Sequence, residues 1–247
     1  MALPRIDGIF SVITLPVAGI STKVYGFTIK EQRNLVLAKD AADANEIEEV
    51  IISLLKNKVP EVDIESLTMT DIIFLFISML RLSKGVAQKF SYVCKNTLED
   101  GLCNTKIDVD VSLDNFVINK SEKFSNSKLV HVADNINIEL VYPTYKHYKE
   151  LKAYESNKTE YIFRLYSKCI SAVYSGEDAN TEFTDDEIYD WIMTLPGTVL
   201  SDFESFINSI PTLSLKYDVI CSKCGASKSV VINNIIDFFT RASQENH

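Results

Sequence analysis

The sequence is poor in the residues and motifs on which most enzyme mechanisms rest. Only three histidines occur in 247 residues, and no phosphate-cradling, dinucleotide-binding, nucleophile-elbow or H-E-x-x-H pattern accompanies them. His131 lies in a strand-like segment, His147 in a tyrosine-rich helical segment and His247 at the terminus, places where an imidazole is exposed or locally bonded. S-x-x-K occurs twice, at Ser53 with Lys56 and at Ser125 with Lys128, and two hits in one chain show how little that pattern means alone. Asp185, Asp186 and Glu187 crowd together, but acids in a first helical turn already answer the helix macrodipole. The chain therefore reads as a non-enzyme.

Positive charge is scarce as well. Lys and Arg number 25 against 34 Asp and Glu, a formal charge of −9 with an isoelectric point near 4.9. Such a surface repels phosphate backbones and anionic head groups, so neither nucleic acid nor membrane is an expected partner. The most apolar stretch, Ile72 to Leu80, stops at Arg81, whereas a membrane span needs about 20 residues. The opening MALPRIDGIF has neither the basic region nor the apolar core of a signal peptide. These features predict a cytosolic protein with reduced thiols, which an odd count of five cysteines suits better than a disulfide framework.

What is present is an ordinary globular mixture, 46% hydrophobic and 24% charged, without internal repeats or low-complexity tracts. At about 150 residues per domain, the length means one large domain or two small ones. Ile9 to Leu15 and Ile20 to Phe27, broken by Pro16 and Gly19, read as a hairpin. Thr28 with Glu31 makes a capping box that opens two helices split near Ala44 and ended by Pro60. A third helix opens at Thr68 and Asp71, and its DIIFLFISMLRL stretch is apolar nearly all round. From Phe90 the pattern alternates through Tyr92 and Cys94, then Ile107, Val109, Val111 and Leu113, and strands continue over Val130 to Val132 and Ile136 to Val141. Helices are expected over Tyr145 to Glu155 and Thr159 to Tyr174, the second carrying Cys169 at a packing position. Gly176 to Glu187 reads as a mobile acidic loop, with Thr184 and Glu187 capping the next helix and Ser201 with Glu204 capping another. Two strands, Leu213 to Cys221 and Ser227 to Ile232, precede a terminal helix carrying Ile235, Ile236, Phe238 and Phe239.

The cysteines form the one constellation with chemistry in it. Cys221-Ser222-Lys223-Cys224-Gly225 is a C-x2-C-G knuckle that points two thiolates at one centre, and its glycine permits the tight turn. Cys94 and Cys103 also stand at a hairpin tip, with Gly101 between them, and the two pairs together make a four-cysteine set of the kind that holds structural zinc. Eight residues between Cys94 and Cys103 exceed the usual two to four, and plain half-buried cysteines are the competing reading. A second concentration, Tyr142, Tyr145, Tyr148, Tyr154, Tyr161, Tyr166 and Tyr174, fits either a protein interface or half-buried helix packing.

The expected architecture is α+β, mainly helical, with an N-terminal β-hairpin and a β-rich middle tied to a C-terminal zinc-ribbon-like hairpin; about eight helices and seven strands are expected. Residues 1–89 form the hairpin and helical region, 90–143 the β-rich region with the first cysteine pair, and 144–247 a helical region ending in the C-x2-C hairpin and a terminal helix. The three are expected to form one intertwined unit.

Several blocks, TLPVAGISTKVYGFTIKEQRNLVLAKDA, DIIFLFISMLRLSKGV, IDVDVSLDNF, ELVYPTY and the closing C-SKC-G with DFF, occur in that order. In them the chain resembles the baseplate protein family of T-even-type contractile-tailed bacteriophages, which holds the baseplate hub assembly proteins. The resemblance implies a late virus protein made in the cytoplasm of the infected bacterium, working with other hub or tape-measure proteins, with self-association as a further option. It implies either a noncatalytic assembly factor, a chaperone for those proteins, or a permanent structural component of the virion baseplate hub. No catalytic residue carries over from the family.

Overall fold

The computed structural model describes residues 8–41, 43–122 and 124–234. His247 and the terminal helix expected around Ile235 to Phe239 lie outside them. In chain order the elements are β1 (Phe10–Thr14), β2 (Ser21–Tyr25), α1 (Ile29–Ala41), α2 (Ala44–Lys58), α3 (Met69–Lys84), β3 (Ala87–Val93), β4 (Thr97–Leu98), β5 (Gly101–Leu102), β6 (Lys106–Ser112) and β7 (Phe116–Asn119). They continue with β8 (Ser127–Ala133), β9 (Ile136–Val141), α4 (Tyr145–Leu151), α5 (Lys158–Lys168), β10 (Ile170–Ser175), β11 (Asp178–Asn180), α6 (Asp185–Ile192), α7 (Leu200–Ile207), β12 (Thr212–Ile220) and β13 (Ser227–Ile232). Helix makes up 39% and strand 31%, so the expectation of a mainly helical protein is corrected to a mixed α+β one. The surplus strands are short or pair far along the chain, and two to four residues cannot display a period.

The chain divides into two compact units. Among the described residues, the first comprises those within 8–64, 70–119 and 212–234. Its β1–β2 hairpin runs antiparallel from Phe10 opposite Tyr25 to Thr14 opposite Ser21. Thr28 and Glu31 form the capping box that their spacing predicts, the Thr28 N–H donating to Glu31 Oε2 at 2.7 Å. Helix α3 is the most deeply packed element, with Ile72, Leu75, Phe76 and Met79 at 0% exposure. Three small antiparallel sheets complete the unit: β3 with β6, β4 with β5, and β13-β12-β7.

Asp71, in the first turn of α3, is fully buried, and its carboxylate accepts from Val17 N at 2.9 Å and Ala18 N at 3.1 Å. The acid thus holds the β1–β2 turn onto α3. Asp71→Ala is expected to cost about 2 kcal/mol, because the Val17 and Ala18 amides lose a charged acceptor where water cannot easily replace it. Urea unfolding measures this, and a change below about 0.5 kcal/mol, the range of a surface substitution, would show that the turn is held by other means.

The second unit comprises residues 65–69 and 120–211. Its sheet has the order β11-β10-β9-β8, all antiparallel. Two expectations are corrected here. The helix expected to reach Tyr174 stops at Lys168, because Ile170 and Ala172 bury alternate positions of a strand against β9. The acidic segment expected to be a mobile loop begins instead as a hairpin: Gly176 adopts φ 64°, and β11 returns along β10 with Ser175 opposite Asp178. Thr184 and Glu187 form the second capping box. The box expected at Ser201 and Glu204 is replaced by a 3-10 turn at 197–199 that runs straight into α7, and the Ser201 hydroxyl donates to Thr198 O.

Candidate metal centre

Strands β3 and β6 pair from Ala87 opposite Ser112 to Val93 opposite Lys106, which places Cys94 and Cys103 at the same end of the ladder. The unusual spacing between them is taken up by the β4–β5 hairpin, with Thr97 opposite Leu102 and Leu98 opposite Gly101. The excursion closes on itself through three backbone bonds. Cys94 N donates to Thr105 O at 2.9 Å, Asn104 N to Cys94 O at 3.0 Å, and Cys103 N to Asn96 O at 2.8 Å. Asn104 takes φ 49° to make that turn, a conformation asparagine tolerates better than most residues.

The other pair is built by the β12–β13 hairpin. Cys221 follows the end of β12, its N–H donating to Ala226 O at 2.9 Å, and Gly225 at φ 71° donates back to Cys221 O at 2.8 Å. A side chain at that φ would be strained, which is why glycine stands there.

The four sulfurs converge. All lie within 4.8 Å of one another, and the cross-loop pairs Cys94–Cys224 and Cys103–Cys221 are each at 3.7 Å. A tetrahedral zinc site with bonds of about 2.3 Å has edges of about 3.8 Å, whereas a disulfide closes to about 2.05 Å. Cys94, Cys103 and Cys221 are buried and Cys224 is half-buried, with Tyr92, Leu98 and Ile107 packed around them.

Donors surround the sulfurs. The N–H of Asn96 bonds Cys94, the N–H groups of Cys224 and Lys223 bond Cys221, and Thr105 bonds Cys103 through its hydroxyl, 3.2 Å away, and its N–H. The Cys224 N–H leads in holding the Cys221 thiol down to about 6. The Thr105 hydroxyl leads in lowering Cys103. At Cys94 the Asn96 N–H works in the same direction, but burial and the three neighbouring thiols push it up to about 12. Mutual repulsion of close thiolates has this effect, and a dication between them relieves it. Four thiolates fill a zinc coordination sphere, so such a centre serves structure and leaves no position open to substrate. Asn96 and Thr105 were not singled out from sequence, although each stands two residues after a cysteine, where a knuckle amide meets its sulfur.

The other candidate residues do structural work. Asp185 pairs with Lys168, Asp186 with Arg164, and Glu187 caps α6. Lys128 pairs with Asp202 at 2.7 Å. His131 Nδ1 meets Asn137, and His147 Nδ1 accepts from Thr144 N. Cys169 has no exposed surface, and burial pushes its thiol up to about 12. None of the seven clustered tyrosines is exposed; Tyr142, Tyr145 and Tyr166 are buried and the rest half-buried. Tyr142, Tyr145 and Tyr166 therefore serve packing.

A profile of the family described as T4 bacteriophage base plate protein matches residues 9–240. The chain belongs to that family. No curated protein and no solved structure matches it. The matched span contains all four clustered cysteines. A baseplate protein works among other baseplate components, and the virion baseplate is the place the family implies. No helix among the described residues is long and apolar enough to cross a membrane.

Proposed function

We propose that this baseplate protein is a noncatalytic assembly factor of the tail hub, acting on hub or tape-measure proteins in the infected bacterial cytoplasm, and that one structural zinc ion on Cys94, Cys103, Cys221 and Cys224 holds its β loops together. The metal reading is supported by four sulfurs within 4.8 Å of one another, two pairs of them at 3.7 Å, close to the edge of a tetrahedral zinc site. The assembly role is supported by how exposed apolar residues are distributed. On the β1–β2 hairpin, exposed Phe10 and Val12 stand opposite Tyr25 and Lys23, and on β12–β13 exposed Val231 stands opposite Lys216. Apolar area interrupted by charge suits modest, partly polar and reversible contacts, whereas a permanent component buries about 2,000 Å² or more of largely apolar surface.

Quantitative mass spectrometry of finished phage particles and of assembly intermediates tests the role. Peptides confined to intermediates are expected. Stoichiometric peptides in purified particles would make the protein a permanent hub component instead.

A further inference from the structure

Three of the four cysteines are in contact with one residue that is not a ligand. The backbone N–H of Asn96 bonds Cys94 Sγ, its carbonyl accepts the Cys103 N–H at 2.8 Å, and its side-chain Nδ2 lies 3.7 Å from Cys224 Sγ. The first two contacts organise the loop that contains Asn96 itself. The third crosses to a residue 128 positions further along the chain.

We infer that Asn96 is the positioning residue of the centre: its carboxamide joins the 94–103 loop to the C-x2-C-G knuckle and holds Cys224 for the metal. The inference rests on the four-thiolate reading above. Cys224 is the most exposed of the four cysteines, so its corner is where water, protons or a competing chelator approach a metal–sulfur bond most readily. A donor aimed at a ligand sulfur fixes its orientation and takes up part of its charge, and the loss of such outer partners weakens metal sites by about 10–100-fold. Asn96 is itself exposed and lies outside the strands, so shortening its side chain leaves both backbone contacts and the surrounding sheet in place.

The test uses the full-length protein loaded with Zn²⁺ or with Co²⁺, and reads zinc transfer to a chromogenic chelator and the thiolate-to-cobalt absorption bands. Asn96→Ala is expected to release zinc about tenfold faster than wild type and to shift the cobalt bands. Asn96→Asp keeps the shape but replaces a donor with an anionic acceptor beside a thiolate, and is expected to release faster still. Asn96→Gln, which retains the carboxamide, is expected to recover part of the wild-type rate. Wild-type rates and spectra in both Ala and Asp variants would overturn the role given to Asn96 while leaving the metal centre standing. If Asp disturbs the fold, the comparison of Ala with Gln decides by the same criterion. Failure of the wild type to bind either ion would overturn the four-thiolate reading itself.

Discussion

Cys221→Ser is expected to leave the purified protein with well under one zinc per chain and an unfolding temperature lower by on the order of 10 °C. Cys221 is the sulfur most thoroughly built into its loop. It takes two backbone N–H bonds, sits 3.7 Å from Cys103, and is 2% exposed. A serine hydroxyl cannot supply a soft anionic ligand, and the three remaining thiolates are then left close together with less positive charge to offset their repulsion. Because metal binding is coupled to folding, a strong chelator should reproduce the effect in the wild type. The damage should concentrate where the ligands are. Hydrogen exchange is expected to rise in β3, β6, β12 and β13, the strands that lead into the cysteine loops, while β8 to β11 in the other unit stay protected. Elemental analysis, chelator titration and exchange mass spectrometry check the three parts. Wild-type protein purified without zinc, together with a Cys221→Ser variant of full stability, would reduce the four sulfurs to packing.

Much of the cysteine cluster is legible in the sequence, because hairpin chemistry is local. Gly225 after a C-x2-C, and Gly101 between two alternating segments, mark tips where thiols can face one way. The capping boxes at Thr28–Glu31 and Thr184–Glu187 were equally readable, since both partners lie within four residues. What escaped is non-local. Strand β7 is four residues long and makes sense only against β12, where Phe116 meets Leu215. Strand β10 looks in sequence like a continuation of the helix before it, because Cys169, Ala172 and Val173 fit a helical stripe until β9 claims alternate residues. The role of Asn96 depends on a sulfur 128 residues away, and no spacing rule relates the two.

Tyr142 is 5% exposed and lies between two rings nearly parallel to its own, Phe206 at 4.3 Å and Phe124 at 5.9 Å between centroids. Ser209 Oγ donates to Phe206 O at 2.6 Å, which leaves its lone pairs to accept the Tyr142 hydroxyl at 2.8 Å. Burial raises the pKa of the phenol, so the hydroxyl is a donor throughout the neutral range. Tyr142→Ala is expected to cost about 3–5 kcal/mol, the range for emptying a buried aromatic site, because the stack cannot close over the void without moving α7. Tyr142→Phe keeps both ring contacts and gives up one hydrogen bond, for about 1 kcal/mol. The ratio of the two losses separates ring packing from the polar contact, with denaturant unfolding followed by exchange in β8 to β11 as the readout. Similar losses in both variants would place the energy in the hydroxyl, and a loss under 1 kcal/mol in Tyr142→Ala would show that the stack does not hold the second unit together.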